Sequence, residues 1–178
     1  PQAVICHPKA TRPLMMKNTG NKLCASANNR AIAPLAAQYA HPSQRGFLPS
    51  RQFTHNISDL DTTLRLATTK RRSNIPLLAL FDILAAFPSF SQEWLLFIIT
   101  FIQVPEGFVC FVEAIYSTPY AIFYAKGEAF LFMLIASGVL QGCPLSGTLF
   151  ALGLDAFLRY IAHALRNSPD SAVRACAD

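Results

Sequence analysis

Charge is what this chain has least of. Only 14% of its 178 residues are Asp, Glu, Lys or Arg, against 52% hydrophobic, and the mean hydropathy is +0.32. That balance excludes an intrinsically disordered chain and leaves enough apolar material for one domain with a sizeable core. Long hydrophobic runs are also missing. The most apolar stretches, 94–102 and 129–140, fall well short of the roughly 20 residues a spanning helix needs. Burial in a core is favoured, with a small membrane-associated protein as the alternative. The five cysteines, Cys6, Cys24, Cys110, Cys143 and Cys176, include no C-x-x-C pair, and the four histidines show no metal-ligand spacing. A zinc module is therefore excluded, and an odd, scattered cysteine set points to a reducing compartment. No internal repeat is present. The first residues carry neither a starting Met nor a signal-peptide layout, as expected of a piece cut from something longer.

The few charges are unevenly placed. Residues 1–72 hold eleven Lys/Arg and two Asp/Glu, a balance of +9; residues 73–178 hold four and eight, a balance of −4. A basic front suggests a region that meets phosphates, although a solvated basic surface has the same composition.

Pro1, Pro8 and Pro13 make the first seventeen residues extended or irregular. Asn18 or Thr19 can cap a helix over 22–39, interrupted near Pro34. Residues 41–51, rich in Pro and Gly and carrying Arg45 and Arg51, read as a loop, either an ordinary surface one or a phosphate contact. Ile57, Leu60, Leu64 and Leu66 give an amphipathic helix over 54–69, and Lys70-Arg71-Arg72 suits its C-terminal dipole. Residues 92–103 and 106–116 read as helices packed inside. Lys126-Gly127 joins two strands, 120–124 and 129–133, in a hairpin. Pro144 opens a last helix to about Leu165, and 172–177 reads as a short strand.

The organising stretch is 77–87. An apolar run, 75–81, stops at a single carboxylate, Asp82, with Phe87 five residues on. Its length and polar lead-in predict a strand buried on both faces. A carboxylate at the end of such a strand needs a cation; alternatively, Asp82 caps the helix that follows. Asp178 ends a second short apolar strand. Two carboxylates at neighbouring strand ends make a magnesium site, because magnesium takes hard oxygen ligands from one or two carboxylates plus substrate phosphates. Between them lies Gly138-x-x-Gln141-Gly142-x-Pro144, whose glycines let backbone approach a flat ligand such as a base pair.

Read together, these blocks resemble the reverse transcriptases of non-long-terminal-repeat (LINE-like) retrotransposons. Arg12-Pro13-Leu14 with Asn18-Thr19 and Lys22 resembles the family's first fingers block. Gln44-Arg45-Gly46-Phe47-Leu48-Pro49-Ser50-Arg51, followed by Asn56-Ile57, resembles Gln-x-Gly-Phe-x-Pro-Gly-Arg followed by Asn-Ile. Phe81-Asp82 with Ala86-Phe87 resembles the first catalytic block. Gly138-Val139-Leu140-Gln141-Gly142-Cys143-Pro144-Leu145-Ser146 resembles Gly-Val-x-Gln-Gly-x-Pro-Leu-Ser. Cys176-Ala177-Asp178 resembles the start of the aromatic-Ala-Asp-Asp block.

The resemblance implies an α+β fold. Residues 73–178 would form an antiparallel palm sheet backed by helices, and residues 1–72 would form basic fingers. It implies an RNA-directed DNA polymerase, with a primer 3′-OH attacking a nucleotide α-phosphate at a two-metal centre. Asp82 and Asp178 would be catalytic and hold two Mg2+ ions, or Mn2+ in their place. Phe87 would be the steric gate against a ribose 2′-OH, Arg12 would touch the triphosphate, and Gln141 and Gly142 would line the nucleotide pocket. Lys22 and Arg51 would contact the template. The implied partners are an RNA template, a DNA primer and deoxynucleoside triphosphates, with no membrane. An intracellular, nuclear location goes with a retrotransposon origin.

Several positions depart from the family pattern. Pro88 stands where many relatives have a second Asp, Ser50 replaces a Gly, His55 an acidic residue and Cys176 an aromatic, and the chain stops before the last block's second Asp. A thumb and the remaining polyprotein domains would be missing too. The isolated piece is therefore expected to be incomplete as an enzyme, and a decayed, non-catalytic nucleic-acid-binding remnant is the other reading. Outside the resemblance, Phe87 can be plain core, Gln141-Gly142 a helix-start turn and Arg12 a surface cation.

Overall fold

A computed structural model describes residues 18–69, 77–117, 119–168 and 171–176. The chain orders six helices and one hairpin among them: α1 (Thr19–Tyr39), α2 (Thr54–Thr69), α3 (Ala86–Ser89), α4 (Gln92–Phe101), α5 (Glu106–Tyr116), β1 (Tyr120–Ala125), β2 (Glu128–Leu134) and α6 (Ser146–Ala164). Helices with a small antiparallel sheet make an α+β fold.

The helix starts follow from capping. Asn18 Oδ1 accepts from the Asn21 amide at 2.9 Å, and Ser91 Oγ from the Trp94 amide at 3.1 Å. Each satisfies a donor that the first helical turn leaves open. Pro34 lies inside α1 without ending it, because a proline in a helix costs only one backbone bond and a local kink.

The centre of the molecule is α6. Ser146, Thr148–Gly153, Asp155 and Leu158 are all buried along it. Leu145, Leu149 and Phe150 join Leu95 and Ile99 of α4, Phe108, Val112 and Tyr116 of α5, and Ala25 and Ile32 of α1 in one core. Ala36, Ala40 and Leu48 form a second cluster with Ala151 and Leu152. Helix α4 is not wholly packed inside, as its composition suggested. Trp94, Phe97 and Phe101 line an exposed face, with the first and last of them 41% and 71% exposed.

The hairpin forms where Lys126-Gly127 predicts it. Both residues have positive φ, 51° and 84°, as the two-residue turn that suits strand twist requires. Ala125 faces Glu128 and Tyr120 faces Leu134, with a bulge between Ala121 and Ile122. Ile135 N–H to Pro119 O, 2.9 Å, closes the open end.

Two predicted strands do not form. Residues 77–83 carry no regular structure, and Leu77, Leu80, Phe81 and Leu84 are from 79% to 93% exposed rather than buried on both faces. Residues 171–176 contribute only an isolated parallel bridge, Gln44 to Ala175. A strand exists only when a neighbour takes its backbone groups. Among the described residues β1 and β2 pair with each other alone, and Ala175 pairs with the loop after α1.

The left-handed conformation of Ser50, φ 62°, explains why the resembled pattern has glycine there, since a Cβ crowds this region. Ser50→Gly should raise stability by about 1 kcal/mol, net of the freedom glycine gains in the unfolded chain. Urea unfolding of the two proteins measures it, and the substitution should leave the slope unchanged.

Candidate nucleotide and nucleic-acid site

Two of the resembled blocks meet through backbone. The turn at 84–90 and the loop at 137–146 exchange two hydrogen bonds: Gly138 N–H to Phe90 O at 2.7 Å and Val139 N–H to Phe87 O at 2.9 Å. Ser137 Oγ donates to Pro88 O at 3.2 Å, and Gln92 Nε2 to Gly138 O at 3.1 Å. Gly138 has φ 90°, and a Cβ on it would lie 2.8 Å from Phe87 O, Pro88 Cα and Pro88 O. Only glycine lets the segments come this close. Gln141 follows Val139 by two residues, a reach of at most about 7 Å. Phe87 and the half-buried Gln141 and exposed Gly142 therefore belong to one locality.

Phe87 is half-buried in a row of rings. Its centroid lies 5.5 Å from Phe47 and 5.0 Å from Phe150, both tilted, within the range where aromatic pairs attract. Phe47 comes from the loop after α1, and its ring fits only because Gly147 has no Cβ, which would lie 2.8 Å from it. The turn, the loop and α6 thus converge on one side chain.

The loop's far side rests on Tyr116. Leu140 N–H donates to the Tyr116 hydroxyl at 3.5 Å, and Ser146 Oγ donates to Leu140 O at 2.7 Å. Burial pushes the Tyr116 phenol above its ordinary range, and hydrogen bonds with Ser146 and Leu140 oppose this only in part.

The remaining expected residues are dispersed. Asp82 is exposed, five residues before Phe87, and does not cap α3, whose first flanking residue is Ala85. It forms no ion pair among the described residues, and among them no three His, Cys, Asp or Glu side chains come together. A free carboxylate fits magnesium as one hard ligand, with phosphate and water oxygens able to complete the shell. Arg12 and Asp178 lie outside the described residues, as does the Lys70-Arg71-Arg72 triplet. Lys22 is exposed on α1.

Arg51 does not face outward as a template contact would. Its Nη1 donates to His41 O at 2.7 Å and Gln44 O at 2.6 Å; its Nη2 donates to Ala40 O at 2.8 Å and to Ala37 O. A guanidinium fork at the C-terminus of α1 satisfies carbonyls the helix leaves open and suits its dipole. Beside it, the buried Asp155 accepts from His41 N–H and from Arg159 Nε, each at 2.6 Å. Arg45 and Arg174 share Asp59, at 2.8 and 3.3 Å.

Sequence reasoning missed Gln92, Tyr116 and Asp155. A polar residue directly after the Ser91 cap and a tyrosine closing an apolar helix were the only signals available.

A sequence model described as reverse transcriptase (RNA-dependent DNA polymerase) matches residues 6–176, so the chain belongs to that family. It is 26% identical over 151 residues to the transposon TX1 uncharacterized 149 kDa protein of Xenopus laevis, covering 84% of this chain and 11% of that protein. It is 34% identical over 118 residues to the Pol polyprotein of type-2 retrotransposable element R2DM of Drosophila melanogaster, covering 66% and 11%. The corresponding protein of type-1 retrotransposable element R2 of Bradysia coprophila is 33% identical over 116 residues, covering 65% and 13%. The chain spans roughly a tenth of the length of these relatives.

The placement of Arg51 and Tyr116 can be tested by stability. Arg51→Ala should destabilise the fold by about 2–3 kcal/mol, because several part-buried carbonyls lose a charged donor. Arg51→Lys should recover less than half, lacking the planar fork. Urea unfolding measures both; a loss under about 0.5 kcal/mol, with weakened RNA binding, would instead mark a template contact. The second prediction concerns pH. Folding raises the Tyr116 pKa, so the folded chain holds this proton more tightly than the unfolded one. The resulting stability is complete below about pH 10, the ordinary tyrosine value, and disappears as pH rises through the folded value. Between about pH 8 and pH 11, wild type should lose more stability than Tyr116→Phe.

Proposed function

We propose that this chain is the polymerase segment of an element that copies RNA into DNA, with 1–72 acting as fingers and 73–178 as palm. The observation that carries the reading is the backbone clasp between 87–90 and 138–139, in a chain whose family match runs from 6 to 176. It brings together the two blocks that a templated nucleotide has to touch. The fingers and palm regions share a core through α1 and α6.

In this reading Phe87 is the steric gate. A ring fixed between Phe47 and Phe150 cannot swing aside for a ribose 2′-OH, so deoxynucleotides are selected by exclusion. The backbone at Gln141 and Gly142 forms the floor against which the nucleotide and its templating base lie. Arg12 meets the triphosphate with a fork that suits phosphate. Lys22 contacts the template backbone, and Arg51 contributes by fixing the loop that carries Phe47.

Asp82 and Asp178 would hold two Mg2+ ions, or Mn2+. Bound there, the ions supply charge neutralisation for the phosphates and the attacking oxygen. The reaction joins a primer 3′-OH to the α-phosphate in line and releases pyrophosphate. The chain's own contribution is orientation: the gate, the floor and Arg12 hold sugar, base and triphosphate in attack geometry. Two contacts support convergence of the two carboxylates. Ala175, three residues before Asp178, pairs with Ser43 and Arg45, and Phe47 of the same loop touches Phe87.

The other reading, a non-catalytic remnant that only binds nucleic acid, predicts no specific cation site. No helix among the described residues is long and apolar enough to cross a membrane, so a membrane role has no comparable support. Calorimetric titration of the chain with deoxyadenosine triphosphate and Mg2+ separates the first two. Binding should be Mg2+-dependent, and Asp82→Asn should weaken it about tenfold, the effect of losing one charged ligand. Equal binding with and without Mg2+, or unchanged by Asp82→Asn, would favour the remnant.

A further inference from the structure

We propose that Gln92 is a positioning residue for sugar discrimination: its side-chain amide sets the separation between the Phe87 gate and the Gln141-Gly142 floor. The inference rests on the gate-and-floor reading above and adds the device that holds the two apart.

Gln92 is the first residue of α4, so its backbone is fixed by the helix and by the Ser91 cap. Its Nε2 donates to Gly138 O at 3.1 Å and lies 3.5 Å from Ile135 O. Gly138 is therefore held at both polar atoms by the segment that carries Phe87: its N–H by Phe90 O and its carbonyl by Gln92. The peptide unit between Gly138 and Val139 is gripped at both ends, its carbonyl by Gln92 and its N–H by Phe87 O, and cannot rotate about its neighbours. On its other side the loop is restrained at Leu140 by Tyr116 and Ser146, and Tyr116 is only 6% exposed.

Of these ties, Gln92 is the only side-chain donor on the Gly138 carbonyl among the described residues. The bonds from Gly138 N–H and Val139 N–H are backbone and survive any substitution of Gln92. Removing the Gln92 amide leaves those two bonds, with Ser137 Oγ on Pro88 O, as a hinge, about which the floor can tilt away from the gate by the play in the long Leu140–Tyr116 bond. A wider gap admits a 2′-OH. The effect should therefore fall on selection between sugars far more than on affinity for the deoxynucleotide.

The experiment uses the 178-residue chain with Mg2+ and compares affinities for deoxyadenosine triphosphate and adenosine triphosphate. Three proteins are measured: wild type, Gln92→Ala and Gln92→His, the last retaining a ring N–H donor. Gln92→Ala should reduce the preference for the deoxynucleotide about fivefold, the effect of one hydrogen bond, mainly through tighter binding of the ribonucleotide. Gln92→His should restore most of it. Hydrogen exchange on the same samples supplies a readout that a merely destabilised protein would not give. The Gly138 and Val139 amides should exchange about tenfold faster in Gln92→Ala, while the Leu149 amide in α6 keeps its rate. Wild-type discrimination that Gln92→Ala leaves intact overturns the proposal alone. A wild type that binds neither nucleotide, or both equally, overturns the gate-and-floor reading and this inference with it. Uniformly faster exchange, including Leu149, makes Gln92 a residue of general stability and also overturns the proposal.

Discussion

Two backbone hydrogen bonds, from Gly138 to Phe90 and from Val139 to Phe87, govern how the turn at 84–90 and the loop at 137–146 are arranged. They join segments about fifty residues apart in sequence, and they form only because Gly138 brings no Cβ into a space already occupied by Phe87 and Pro88. Backbone pairing has a consequence that side-chain pairing lacks. It fixes the relative height of the two segments without prescribing which side chains they carry. The short turn α3 owes its place to the same contact.

The rest of the molecule works to present these segments. Helix α6 is buried for most of its length and offers Phe150 to Phe87 and Ser146 to Leu140. Helix α1 is locked to it at one end. Asp155 takes the His41 amide, Arg159 bonds Asp155 and the Tyr39 carbonyl and lies 4.8 Å over the Tyr39 ring, and Arg51 gathers carbonyls from Ala37 to Gln44. Asp155 is buried while Arg159 is half-exposed, so an arrangement that takes Arg159 away leaves a buried charge without its cation and is strongly penalised. That suits a loop whose job is to deliver Phe47 to one place.

How much of this could be read in advance depended on whether the deciding interaction was local. Asn18 and Ser91 announce their helices because a cap acts within four residues, and Lys126-Gly127 announces the hairpin because the turn is its own cause. The bounds of α2 and α5 match the apolar periodicity to the residue. The strands expected at 75–81 and 172–177 do not form over their described residues, 77–81 and 172–176, because a strand is a property of two segments. Both have strand composition, but composition does not say which neighbour takes the backbone groups. The partners of Arg51 were hidden for the same reason. An arginine in a Pro-rich loop looks like a surface cation, and its true partners are carbonyls up to fourteen positions away. The pairing of the 87 and 138 blocks was legible only as family pattern, and Gln92, which supports it, lies in neither block.

As the proposed gate, Phe87 shows why core and site need not be competing descriptions. A ring with no packing partners would be free to rotate, and a rotating ring excludes nothing. A ring buried on every side could not meet a substrate. Phe87 is half-buried, with Phe47 and Phe150 against it. The aromatic contacts that would ordinarily mark it as filler are the ones that make its exposed edge a fixed boundary. The same reasoning applies to the floor. Gln141 and Gly142 sit at a turn that opens α6, and a turn held from beneath by Tyr116 and from the side by Gln92 is rigid enough to be a surface against which another molecule is measured. Packing supplies the stiffness from which the proposed discrimination follows.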